Sequence, residues 1–362
     1  VFRQYLPFWT YTAPLFGWLV LAGSAAGWSA GGWFAAVVAF ALGSAVLAAV
    51  HHAEVIAHRV GEPYGTLTLA LAVTAIEVAL IVSLRASGGD AAAALARDTI
   101  FAALMIILTG MLGMCLMIGG LRHREQSFDT RGVSSTLAVL AALAVLTMVL
   151  PNYTTSVAGP YYSDGQLITV AIVSAILYGI FVLVQTVRHR DYFLPKGPEV
   201  ADETVHAPKP PPLVAAVSFA LLLVCLGAVV LLAKALQPTL EDAVAAIHAP
   251  NAIVGVAIAF LVLLPEGVAA GRAARANRLQ TSLNLALGSA LASIALTIPT
   301  IVAVSLWLDW RFVLGLDARS TVLLVLSLFV AALSLQTGRT TVLQGAVHLV
   351  LFAVYLFTTL VP

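Results

Sequence analysis

Residues 252–270, AIVGVAIAFLVLLPEGVAA, carry thirteen apolar or small residues into Pro265 and a lone carboxylate, Glu266, before the apolar run resumes. Residues 71–84, LAVTAIEVALIVSL, hold Glu77 in the same kind of setting. About 20 apolar residues suffice for a helix to cross the hydrocarbon core of a bilayer, and such runs recur along the 362-residue chain. With 61% hydrophobic and 10% charged residues, a soluble fold lacks the polar surface to cover itself. Only helices and closed barrels satisfy their backbone polar groups in lipid, and these runs lack the ten-residue alternation of barrel strands. The sequence therefore predicts an all-α polytopic membrane protein.

Breaks between the runs place spans near residues 12–30, 33–56, 65–84, 98–119, 132–150 and 165–187, then 213–235, 249–271, 282–308, 320–336 and 341–361. That makes about eleven transmembrane helices. Lys and Arg total 18, and with the N-terminus cytoplasmic, thirteen fall on the inner side, among them Arg59, Arg122, Arg188, Arg272 and Arg339. The positive-inside bias then predicts a cytoplasmic N-terminus and a periplasmic or external C-terminus. Residues 188–212, RHRDYFLPKGPEVADETVHAPKPPP, form the longest polar stretch, and their mixed charge and prolines read as a cytoplasmic linker with at most a short surface helix.

Setting aside residues 1–30 as an extra N-terminal helix, five spans lie in residues 31–187 and five in 213–362. Five is odd, so two such units joined through one cytoplasmic linker must have opposite orientations. Glu77 sits in the second span of the first unit and Glu266 in the second span of the other. This is the inverted-repeat layout in which ion sites form near the bilayer midplane. A carboxylate in lipid costs several kcal/mol, so a chain that keeps two in matched places is expected to use them on ions or protons. Ionised, such a group binds a cation; neutral, it holds a proton, and the two compete.

The surrounding residues supply further oxygens. Pro265 removes a backbone donor and so frees a carbonyl one turn earlier. Thr74, Asn284 and Ser289 are the neutral side chains placed to support Glu77 and Glu266, and Pro299 is expected to bend its span. A second polar cluster, HHAEVIAHRVGEPYG, sets His51, Glu54 and His58 on one helical face with Glu62 a turn later. It reads as a proton relay, a charged gate, an interfacial anchor or, by residue type only, a zinc site. GGLRHREQSFDTRG reads as a glycine helix stop followed by basic anchoring. Asn152, Tyr153 and Thr154 match a glycosylation pattern in an outer loop, which has meaning only in a eukaryotic secretory pathway.

Other classes are disfavoured. Cys115 and Cys225 lie inside apolar runs and outline neither a disulfide framework nor a metal cluster. A net charge of +1 offers no basic surface for nucleic acid, and the start of the chain shows no cleavable signal. No nucleotide-binding loop or hydrolase triad is present, so neither an ATP-driven pump nor an enzyme is expected, and no cofactor is called for. The partners are small inorganic cations, protons and membrane lipid; the oligomeric state is not legible.

Three blocks in order, HHAEVIAHRVGEPYGTLTLALAVTAIEVALI (51–81), GMCLMIGGLRHREQSF (113–128) and LLPEGVAAGRAARANRLQTSLNLALGSALASIALTIP (263–299), resemble the calcium/cation exchanger superfamily. They are most similar to its bacterial ChaA-type calcium, sodium or potassium/proton antiporters. The resemblance covers about residues 33–361. It implies ten core helices in inverted repeats, export of cytoplasmic Ca2+ and/or Na+/K+ against external protons, and a bacterial inner membrane location. It places Glu77 and Glu266 at the glutamates of the two exchanger motifs, Glu54, Glu62 and Gly65 in the run before the first, and Gly288 and Ser289 at the glycine-serine pair after the second. Departures are plain: the typical Gly-Asn-Ala-x-Glu is here Val73, Thr74, Ala75, Ile76, Glu77, and the second motif lacks its asparagine and histidine around Glu266. Apolar FAALMII stands where the family has a Gly-Ser and Asn-bearing helix start. Calcium prefers six to eight oxygens, so these losses leave sodium or potassium open. A channel or uniporter without proton coupling, and a receptor or structural protein whose acids merely pair between helices, are the alternatives.

Overall fold

The computed structural model describes residues 5–28, 32–61, 64–88, 93–194, 209–246, 250 and 252–361. The helices are α1 (Phe8–Ala25), α2 (Gly32–Val60), α3 (Tyr64–Gly88), α4 (Leu95–Met105), α5 (Leu112–His123) and α6 (Thr130–Ala144). Next come α7 (Asp164–Leu183), α8 (Pro212–Ala246), α9 (Ala252–Arg275), α10 (Leu279–Leu308), α11 (Ala318–Leu335) and α12 (Val342–Leu360). A π turn, Ile106–Met111, joins α4 to α5 into one rod. Among the described residues nine helices are long and apolar enough to cross a membrane, and α3 adds a shorter apolar stretch, Leu71–Ser83. The all-α polytopic expectation holds. The first helix begins and ends four to five residues earlier than hydropathy predicts: Pro7 precedes it in an extended conformation, and Gly27 takes a positive φ of 88° just after it.

The chain forms two compact units. One comprises Val1–Leu95 with Ala207–Val262, the other Ala96–His206 with Leu263–Pro362. In the first, the most extensive pairing is between α2 and α8. Ala41, Ala45, Ala48 and Ala49 of α2 meet Cys225, Ala228, Val229 and Leu232 of α8 in one buried cluster that also takes Ile76 and Leu80 of α3. Small side chains let the backbones approach, which gives van der Waals contact in lipid where no hydrophobic force between helices exists. The Trp18 indole donates to the Val224 carbonyl at 3.2 Å and fastens α1 to α8.

In the second unit the α4–α5 rod is the most buried element: Ile100, Leu104, Met105, Ile107, Leu108, Leu112 and Leu116 are all inaccessible. Its α5 half packs on α12 so closely that a Cβ on Gly345 would stand 2.5 Å from the Met117 amide nitrogen. The glycine pair Gly119–Gly120 does not stop the helix as expected. α5 runs on to His123, and the chain turns at Arg124, whose φ is 66°. Both glycines instead admit neighbours: Gln126 lies against Gly119, and the Val342 backbone against Gly120. A two-residue antiparallel bridge, β1 (Gln126–Ser127) with β2 (Arg339–Thr340), ties the two loops. An all-helix reading does not foresee it.

The expected linker begins as an ordered piece. Arg131 stacks its guanidinium 4.1 Å over the Tyr192 ring, and Phe193 packs edge-on against Phe181 at 5.8 Å. Residues 195–208 lie outside the described residues. In the loop before α7, the Asn152 amide donates to the Leu316 carbonyl at 2.5 Å, so it is a loop fastener and not an open glycan acceptor.

Candidate functional site

Glu77 lies near the middle of α3, on a helix with no proline and no charged residue within a turn of it. It is 5% exposed. Thr74, three residues earlier and therefore on the same face, is buried with it. Ile76 and Leu80 belong to the apolar cluster of the first unit, so Glu77 is held in place by packing on the adjoining faces.

Glu266 lies on α9 in the second unit, one residue after Pro265. Its Oε2 is shut off from solvent. Pro265 has no amide hydrogen, so the Leu261 carbonyl one turn earlier receives no helix hydrogen bond from it. Gly267 follows directly, and the Met111 Cε lies 3.6 Å from where its Cβ would be; Gly271 meets Met114 Cε at the same distance. The carboxylate thus stands on a helix turn with a proline on one side and, on the other, a glycine that admits the Met111 side chain. A carboxylate can hold either a cation or a proton, so the residue types at both positions are suited to trading one for the other.

The supporting residues divide. Asn284 is committed to structure: its Nδ2 donates to the Phe193 carbonyl at 2.6 Å, and its Oδ1 accepts from Gln280 Nε2 at 3.1 Å. Ser289 is half-buried on α10, with open space beside Gly288. Ser282 is fully buried on the same helix. In the polar cluster of α2, His51 Nε2 donates to the Tyr5 carbonyl at 2.9 Å and its ring meets Trp9 edge-on at 5.3 Å. Glu54 and His58 are exposed on the same helix, and Glu62 lies outside the described residues. Among the described residues no three His, Cys, Asp or Glu side chains gather to hold a metal ion.

Two buried histidines escape the sequence reading. His52 is fully buried and lies 3.1 Å from the Thr10 carbonyl. His348 on α12 sits between Leu108, in the π turn, and Ser334 of α11. His52 lies inside the polar cluster of α2 without being singled out there and His348 stands in no motif, so tertiary packing is what reveals their burial. A polar cavity of about 730 Å³ in the second unit is lined by Arg131, Arg278 and Arg339 beside Glu125 and Asp129. Three arginines against two acids make it a poor cation site.

One family model, described as sodium/calcium exchanger protein, matches residues 29–187 and 217–361. A putative ionic transporter of Sinorhizobium fredii is 48% identical over 360 residues, which cover 99% of this chain and 97% of its own. The sodium-potassium/proton antiporter ChaA of Escherichia coli is 38% identical over 316 residues, 87% of this chain and 85% of its own. Among solved structures, native YfkE matches all of both chains with a TM-score of 0.75 at 16% identity, a likeness of fold.

Proposed function

We propose that this chain, which belongs to the sodium/calcium exchanger protein family, is a secondary antiporter that exports a cytoplasmic cation, Na+, K+ or Ca2+, in exchange for external protons. Glu77 and Glu266 are its cation- and proton-binding carboxylates. The observation that carries the reading is the pair itself: each lies in an apolar helix, the second span of one of the two segments that match the family model, with Glu77 buried and the Oε2 of Glu266 shut off from solvent. The antiporter named for sodium, potassium and protons in Escherichia coli supports monovalent exchange, and so do two motifs that lack the asparagine oxygens of the typical calcium-exchanger pattern.

The two halves are inverted repeats, residues 31–187 and 213–362, after an extra helix in residues 1–30. The two compact units support this layout, because the third to fifth spans of each half fall in one unit and the first span of each half in the other. The membrane is a bacterial inner membrane, with the N-terminus cytoplasmic. Each turnover binds a cation to ionised carboxylates on the inner side. Protons displace it on the outer side, and the protonated form returns.

Reconstitution in proteoliposomes with an imposed pH gradient tests the site. Glu77→Gln and Glu266→Gln remove the charge and the exchangeable proton with little change of shape. Each is expected to abolish cation-dependent proton flux while the protein still inserts. Undiminished flux in both variants refutes the assignment, and cation flux without proton movement in the unaltered protein identifies a uniporter instead.

A further inference from the structure

One buried imidazole in the second unit has no part in the proposed exchange cycle. His348 is 0% exposed. Its Nδ1 lies 2.8 Å from the Leu108 carbonyl and its Nε2 lies 3.2 Å from Ser334 Oγ. A carbonyl only accepts, so Nδ1 carries the proton; the neutral tautomer then accepts the Ser334 hydroxyl hydrogen at Nε2 and both contacts are satisfied.

Leu108 lies in the π turn Ile106–Met111, where one extra residue per turn upsets the regular carbonyl-to-amide ladder. The imidazole reaches this turn because Gly113 has no side chain: a Cβ there would stand 2.9 Å from the His348 Cβ. Gly110 admits Phe352 in the same way, one turn along α12. On the other side of the turn, Met111 and Met114 rest on Gly267 and Gly271 of α9. Contacts therefore run without a gap from His348 through the Leu108 carbonyl and Met111 to Gly267, the residue bonded to Glu266.

We infer that His348 is a positioning residue for Glu266: its donation to the Leu108 carbonyl keeps the π turn in register, so that Met111 packs against the glycine beside the carboxylate. The inference rests on the reading of Glu266 as a cation ligand. An apolar residue at 348 leaves the carbonyl buried with no side-chain donor, and the turn relaxes toward a regular helix. Each residue of regular helix adds about 100° of turn and about 1.5 Å of rise, so even a small fraction of that change in the winding of the turn shifts Met111 on Gly267.

Proton-coupled uptake in proteoliposomes, with sodium, potassium and calcium supplied singly, reads the effect as the half-saturating concentration of whichever ion is transported. His348→Leu is expected to raise that concentration about tenfold, the usual consequence of a lost buried hydrogen bond, and to change the maximal rate less than about threefold. His348→Asn places an amide donor where Nδ1–H stands and restores the affinity to within about threefold. His348→Gln carries its donor past Leu108 toward Ser334 and behaves as the Leu variant does, which keeps the test open where the Leu variant fails to fold. Unchanged half-saturation in the Leu or Gln variant, with or without a lower yield of folded protein, overturns the inference, as does an Asn variant no better than Leu. Glu266→Gln run alongside separates the two claims: lost flux there with unaltered affinity in the Leu and Gln variants sinks the positioning role alone, and full flux there sinks the site and this inference together.

Discussion

Gly345→Ala tests the close backbone contact between α12 and α5. The added Cβ would stand 2.5 Å from the Met117 nitrogen, 2.8 Å from its Cα and 3.0 Å from the Leu116 carbonyl carbon, where ordinary contact begins at 3.4 Å. All three atoms are backbone of α5, so no side chain can swing aside, and the helices must part by about 0.9 Å at the tightest point. Overpacking of this kind costs roughly 1–3 kcal/mol, and at about 2–4 °C per kcal/mol for a unit of this size the unfolding midpoint falls by roughly 2–12 °C. Gly179→Ala is the control, since α7 leaves open space around that glycine. Alanine is the better helix former by about 1 kcal/mol, so the control midpoint stays level or rises. Purified protein in detergent, heated and followed by its tryptophan fluorescence or by the monodisperse fraction surviving, gives both values. If Gly345→Ala is as stable as Gly179→Ala, α5 and α12 do not approach as closely as described.

Asp317 caps α11, accepting the Ser320 amide at 2.6 Å. Burial pushes its carboxyl upward, but the Ser320 hydrogen bonds and the Arg319 and Arg97 guanidinium groups outweigh that and hold it below the ordinary carboxylate range. Its contribution is therefore complete above the unfolded value of about 3.9 and is lost as pH falls through the lower folded value. Asp317→Ala should cost about 1 kcal/mol at pH 7 and Asp317→Asn, which still caps, much less. The gap between wild type and Asp317→Ala should narrow in thermal unfolding scans taken below about pH 4; a gap that is constant down to about pH 3 contradicts the assignment. Asn284→Ala removes the 2.6 Å tether to the Phe193 carbonyl and leaves that acceptor without its side-chain donor. Limited proteolysis should then cut near Phe193 faster than in wild type, and equal rates argue that aromatic packing alone holds the segment.

Much of the architecture is legible because hydropathy is a one-dimensional signal. Each run long enough to cross a bilayer must close its own backbone hydrogen bonds, so length and composition place the helices and charged breaks separate them. Glu77 and Glu266 are legible for the same reason: a carboxylate is conspicuous against leucine and valine. What the residues conceal is partnership. Gly119 and Gly120 look like a helix stop, yet they are absorbed into α5 because neighbours need the room, and no local pattern tells a stopping glycine from a packing glycine. Asn284 looks like an ion ligand until Phe193 arrives from a distant segment to take its amide. His348 looks like one polar residue on an apolar helix, and only the fold puts Leu108 and Ser334 on either side of it.

The same contrast bears on how two related halves can differ. Both keep a glutamate in the second span, but the settings diverge in the backbone. Glu77 stands on a helix without proline and has a hydroxyl, Thr74, on its own face; Glu266 follows Pro265 and gains a carbonyl oxygen where Glu77 has a side-chain one. The third spans diverge too: a π turn interrupts the α4–α5 rod, and a proline, Pro299, lies within α10. A carboxylate holds a proton when neutral and an alkali or alkaline-earth cation when ionised, so on the proposed reading each half keeps one. A neutral oxygen can come from a threonine, an asparagine or a freed carbonyl with similar effect. On the reading of Glu77 and Glu266 as ion ligands, the two halves therefore differ in the neutral donors and the helix breaks, which set the number and geometry of oxygens, while each half keeps one carboxylate.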